Sequence, residues 1–220
     1  MLYTERSLEQ ALKDGNFSLS PDDKLTPSAR DLLRKRGGNL KAPKPEHMTH
    51  LKAGELVPKT HPRIRYRGKL DSLEALLLLS MKNPDAPVEV LQEILDFCRQ
   101  LMRCDVLGEE VPQLLLYGMT EQELRHRSHN PRKYYDTAHI LPDANDSQTL
   151  LSLNYLRTQV RETELESYEA FPKRTDIHRA LNRLSSLLWI LCLEERNKYG
   201  KGGPTWTGSS KRSQGDYSSN

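Results

Sequence analysis

Three residues in one stretch could carry chemistry: Arg157, Arg161 and Glu164. Their spacings of four and three place them on one face of a helix. Two guanidiniums one turn apart form a rigid, permanently charged clamp whose forked donors suit a polyphosphate. A carboxylate one turn further on would hold one of those arginines or accept from a ligand. The same spacing also describes a solvated face with an internal salt bridge. Downstream, Asn182 suits either a ribose or phosphate oxygen or a buried hydrogen bond between helices. Upstream, Lys59 and Arg63 stand in a basic stretch, where they are candidate phosphate donors or parts of a strap across a bundle.

Helices must position these residues. Residues 150–169 read as one long helix, capped by Asn145, Asp146 or Ser147 and ended by Phe171-Pro172. A last helix over 176–193 starts at Thr175, with Ile177, Leu181, Leu184, Leu188 and Leu191 as its buried stripe. Trp189 is expected in the core beside it. A helix is entered at residues 67–73, with Asp71 in its first turn, where a carboxylate is favoured by the helix dipole. Residues 88–106 repeat apolar side chains at helical spacing. A short helix is expected over 111–117. Thr120 and Glu123 form a capping box for a helix over 121–128, and residues 132–142 read as a loop.

The N-terminal part is plainer. Residues 1–10 read as irregular, and 22–36 as a short helix stopped by Gly37-Gly38. Residues 40–63 hold four prolines and read as an extended segment. Beyond Tyr199 the chain is rich in Gly and Ser, and the sequence predicts a disordered tail over 199–220. The expectation is an all-α protein, an up-and-down bundle of about five helices over 61–198. It carries an N-terminal part, 1–60, made of a helix and the extended basic segment.

Bulk properties narrow the function. Charged residues make up 29% of the 220 and the mean hydropathy is −0.73, so much of the chain is surface. The net charge of +3 comes from interspersed signs, which gives no reason to expect nucleic acid. Three cysteines, Cys98, Cys104 and Cys192, form no disulfide framework and point to a reduced, cytoplasmic setting. No secretory signal is read, and the longest apolar run, residues 75–79, is too short to span a bilayer. His126 and His129, like His47 and His50, are spaced for a metal but have no third ligand nearby.

The run RTQVRETE from Arg157, followed by LNRLSS at 181–186, resembles the core signature of the ATP:corrinoid adenosyltransferases. The ethanolamine-utilisation branch is the nearer match. LTPSAR at 25–30, HPRIRYRGKLDSLEA at 61–75 and the run 117–142 extend the resemblance across residues 25–193.

The resemblance implies transfer of the 5′-deoxyadenosyl group of ATP to the Co(I) centre of a reduced corrinoid such as cobalamin. The product would serve a B12-dependent ethanolamine pathway. It implies that Arg157, Arg161, Asn182 and Lys59 contact ATP, with Glu164 orienting an arginine and Mg²⁺ accompanying the nucleotide. Asp71 would pair with Arg157 across a subunit boundary in a homotrimer, and the segment before the bundle would fold over the nucleotide. His139 falls where the better-known branch places an aromatic against the corrin. Some members of the ethanolamine branch bind a transition metal through a histidine and a Cys-Cys-x-x-Cys cluster. Residues 40–51 hold no cysteine, so that metal is not expected. A corrinoid reductase, the recipient B12 enzyme and a bacterial microcompartment are the further associations implied. No Ser-His-Asp, Cys-His or paired-carboxylate site is read, which agrees with a reaction whose nucleophile belongs to the corrinoid. Two other classes fit parts of the sequence: a non-catalytic helical scaffold or corrinoid carrier, and a nucleic-acid binder using the basic residues 35–59.

Overall fold

The computed structural model describes residues 1–13, 19–20, 22–35, 44–137 and 139–198. The tail expected at 199–220 and the Gly37-Gly38 stop lie outside the described residues. The chain divides into two compact units, Met1–Lys59 and Thr60–Asn220.

In the first unit, β1 (Leu2–Tyr3) pairs in parallel with β2 (Lys24–Leu25), and α1 (Glu5–Lys13) and α2 (Pro27–Lys35) follow one after each strand. Residues 1–10 are therefore ordered rather than irregular. Glu5 in the first turn and Lys13 in the last complement the α1 dipole. Leu8 of α1 closes on Ala29 and Leu33 of α2 to make a small core. The proline-rich segment is also more than an extended strap. β3 (Met48–Lys52) and β4 (Glu55–Pro58) form an antiparallel hairpin with Lys52 opposite Glu55. Gly54, at φ +80, supplies the left-handed turn residue.

The second unit is a helical bundle, as expected. Its long members are α3 (Pro62–Ser80), α4 (Val88–Leu107), α7 (Gln148–Ala170) and α8 (Thr175–Lys198). α3 packs on α4 and α7, α7 on α8, and the shorter α5 (Glu121–His129) on α8. α3 shows how the sequence dictates this: Tyr66, Leu70, Leu73 and Leu77 recur at helical spacing and are fully buried. Its start lies at Pro62, with the His61 ring accepting from the Arg63 N–H at 3.2 Å. Asp71 is thus in the middle of α3, not in its first turn, and gains nothing from the dipole. Ser147 is the residue that caps α7, its Oγ accepting from Leu150 N–H at 3.1 Å. The Thr120–Glu123 capping box forms in full.

Two local expectations fail. Residues 111–117 are not a helix; β5 (Leu115–Leu116) and β6 (Met119–Thr120) make a tight hairpin instead. Tyr117 and Gly118 turn it with φ of 55° and 64°, a pair of left-handed residues that matches strand twist. Residues 132–142 are not wholly loop, because α6 (Pro131–Tyr135) occupies the start. All three cysteines are free and buried.

Candidate functional site

A cleft of about 610 Å³ opens between α5, α7, α8 and the segment after α6. Arg157 and Arg161 of α7 line one side; Ser185, Ser186 and Trp189 of α8 form another. His139, Ile140 and Leu141 supply a third wall, and Ser128 and His129 close the end of α5. Among the lining residues there is no carboxylate.

The two arginines differ. Arg157 is half-buried, donates to Asn154 Oδ1 from Nε at 3.3 Å and Nη2 at 3.0 Å, and lies over the Trp189 ring, 5.6 Å from its centroid. Burial draws its pKa down; the Cys192 thiol opposes that shift and the Arg161 charge reinforces it. A guanidinium stays protonated regardless. Arg161 is exposed on the cleft and makes no hydrogen bond or ion pair among the described residues. Two like charges share a recess that offers them no counter-charge, an arrangement an incoming polyanion would relieve.

Glu164 departs from expectation. It is 9% exposed and accepts from Asn182 Nδ2 at 3.1 Å and from the Tyr168 hydroxyl at 3.4 Å. Within the chain it therefore orients Asn182 rather than either arginine. Arg183 completes the relay by donating to Asn182 Oδ1 at 2.7 Å. Asn182 is thereby fixed, with its amide nitrogen directed to Glu164. Asp71 is exposed on α3 and makes no contact with Arg157 inside the chain. Lys59 is exposed and ends the first unit, its backbone N–H donating to His47 O at 2.8 Å.

Arg63 is not a free phosphate donor. Its Nε donates to Asp105 Oδ1 and its Nη2 to the Asp105 carbonyl, both at 2.7 Å. Asp105 is buried and also accepts from Arg67, so it pins the first two turns of α3 to the last turn of α4. The reverse surprise is Trp189. Expected in the core, it packs against it but is only half-buried, and its ring stacks on His139 at 5.5 Å between centroids and 30° between planes. Arg157, Trp189 and His139 thus form one column along the cleft. Helical periodicity marks Trp189 as inward-facing but does not distinguish a core from the floor of a recess.

No three His, Cys, Asp or Glu side chains converge as a metal-binding group among the described residues. His126 is engaged by Tyr134, whose hydroxyl lies 3.0 Å from Nδ1. No described helix is long and apolar enough to cross a membrane.

Residues 42–195 match the model of the cobalamin adenosyltransferase family. The corrinoid adenosyltransferase EutT of Escherichia coli K12 is 32% identical over 225 residues, covering 80% of this chain and 84% of that protein. The EutT of Salmonella typhimurium LT2 is 36% identical over 159 residues, 68% of this chain and 59% of its own length. Among solved structures, a variant PduO-type ATP:corrinoid adenosyltransferase from Lactobacillus reuteri, complexed with cobalamin and ATP, superposes with a TM-score of 0.54. It is 18% identical and covers 68% of this chain and 89% of that one, a likeness of fold. With the family model spanning most of the bundle, the chain belongs to the cobalamin adenosyltransferases, on their ethanolamine-utilisation branch.

Proposed function

We propose that the cleft brings ATP and a reduced corrinoid together and transfers the 5′-deoxyadenosyl group to cobalt, supplying adenosylcobalamin to an ethanolamine-degrading B12 enzyme. The observation that carries this reading is the unpaired Arg161 beside the half-buried Arg157, facing a wall made of His139, Ile140, Leu141 and Trp189. One side of the recess suits a polyphosphate; the other suits a large, mostly apolar macrocycle. The nucleophile is the electron pair of Co(I), which the corrinoid brings with it. A Co–C5′ bond forms as the C5′–O bond breaks, and the electron pair of that bond leaves on the polyphosphate. The protein's part is to align both substrates and to offset the charge building on the leaving oxygen. Arg157 and Arg161 supply that charge.

Asn182, held by Glu164 and Arg183, and Lys59 are the further ATP contacts in this reading, and His139 faces the corrin. Assembly completes the site: the exposed Leu78 and Leu79 of α3 and Leu151 and Tyr155 of α7 favour burial against further copies. A homotrimer would bring Asp71 of one copy to Arg157 of the next. A magnesium ion finds no carboxylate among the cleft-lining residues. Among the described residues the cleft lining offers that ion no direct ligand set; it accompanies the nucleotide in this reading, and no step here passes through it.

The test is an anaerobic assay with ATP and chemically reduced cobalamin, read by loss of the Co(I) spectrum. Arg161→Ala should retain its helical signal and lose about a hundredfold in rate, about 3 kcal/mol. Normal turnover by that folded variant would refute the clamp. Corrinoid binding without any ATP-dependent Co–C bond would favour a carrier instead.

A further inference from the structure

The wall that carries His139, Ile140 and Leu141 belongs to no helix, and the chain at and around it is held by three consecutive residues of the last turn of α8. Arg196 Nη2 donates to Asp146 Oδ2 at 2.7 Å and reaches the Leu141 carbonyl at 3.4 Å. Glu195 accepts from the Ser147 hydroxyl at 2.9 Å, and Asn197 Nδ2 donates to the Tyr135 carbonyl at 2.7 Å. Asp146 Oδ2 also takes the Asp143 N–H at 2.8 Å, tightening the same turn. The central ion pair is enclosed, its side chains 7% and 9% exposed.

A buried ion pair is a poor way to gain stability, since an apolar pair of the same shape often does as well or better. What it adds is direction. One guanidinium nitrogen, Nη2, serves a carboxylate and a carbonyl at once, and here both belong to the segment that walls the cleft. Arg196 does not line the cleft, so it acts only through that segment.

We propose that Arg196, with Asp146, is a positioning pair for the corrinoid-facing wall, setting the grip on the corrinoid without touching it. The inference rests on the reading of the cleft as the substrate site. Deleting the guanidinium lets Ile140 and Leu141 shift away from a productive pose, while the phosphate side, built on α7, is left as it was.

The test uses the full chain, with initial rates measured against cobalamin reduced chemically and against ATP in separate series. Arg196→Met should raise the corrinoid KM by roughly tenfold, since a misplacement of about 1 Å can cost that much or more. The ATP KM should stay within about twofold, because uniform loss of fold would move both. Asp146, left buried and unpaired, would weaken the fold of that variant. The double change Arg196→Met with Asp146→Asn removes both charges and should show the same split in a protein that melts near the wild type. Arg196→Lys keeps the ion pair but not the planar reach to the Leu141 carbonyl and should fall between. His139→Ala is the reference for the cleft and should raise the corrinoid KM. An unchanged corrinoid KM in the Arg196 variants beside a raised one in His139→Ala overturns the positioning role alone. Unchanged values in both overturn the cleft assignment beneath it, and parallel rises in both KM values reduce the pair to a structural brace.

Discussion

Trp189 offers the sharpest test of how the cleft is organised. Its ring carries the Arg157 guanidinium at 5.6 Å and the His139 ring at 5.5 Å. The cation–π contact of a half-buried arginine contributes about 1 kcal/mol. A tilted aromatic pair contributes about 1 kcal/mol more. Both contacts hold their side chains toward the cleft, so their loss acts on the fraction of molecules in the competent arrangement. Together they hold that population up by at most roughly thirtyfold, at 1.4 kcal/mol per factor of ten. Trp189→Leu should therefore lower kcat/KM for both substrates by roughly ten- to thirtyfold. Trp189→Phe retains a ring and should recover most of it. Steady-state rates under anaerobic conditions read both variants, and a circular dichroism melt separates local from global damage. A folded Trp189→Leu protein with wild-type kcat/KM would show that Arg157 and His139 are placed by other contacts, and the column would have no functional meaning.

Two further outcomes concern the frame. Asp105→Ala strands Arg63 and Arg67, both mostly buried, and should cost about 3 kcal/mol. In a chain of this size the melting temperature should fall by roughly 10 °C, and a shift under about 2 °C would count against the pin between α3 and α4. Asp176 has its pKa held well below 3.8, first by Arg174 and then by the Val111 and Ile177 N–H groups, against an opposing burial effect. A depressed carboxylate contributes stability that is complete above pH 3.8 and drains away as acid brings the pH toward the folded value. Denaturant melts between pH 6 and pH 2 should show this loss, about those pH values where carboxylates titrate. Asp176→Asn should flatten it, and an unaltered acid limb in that variant would assign the loss elsewhere.

The two helices that matter most were readable because they are long and strongly periodic. The start of α7 was readable to within three residues, Ser147 being one of the candidates, and the Thr120–Glu123 box of α5 outright, since each acts within one turn of chain. The hairpins at 48–58 and 115–120 escaped because each strand is short and its pairing depends on one or two left-handed residues, Gly54 and the Tyr117-Gly118 pair. Tyr117 gives no composition cue for such a turn. The engagement of Arg63 with Asp105 spans 42 residues of sequence, and nothing local announces it. Glu164 illustrates the same limit: spacing put it beside Arg161, but the carboxylate meets Asn182 of the neighbouring helix. Periodicity says which face turns inward; only packing says what awaits it there.

The sulfur atoms carry a practical corollary. Cys98 and Cys192 are fully enclosed, and burial lifts the Cys192 thiol to about 12 and that of Cys98 higher still, so almost no thiolate exists at neutral pH. Maleimide and similar electrophiles should find these native sites silent until the bundle breathes. An added surface cysteine would then be modified cleanly, and slow modification of the native thiols would clock the opening of the helices around Arg157.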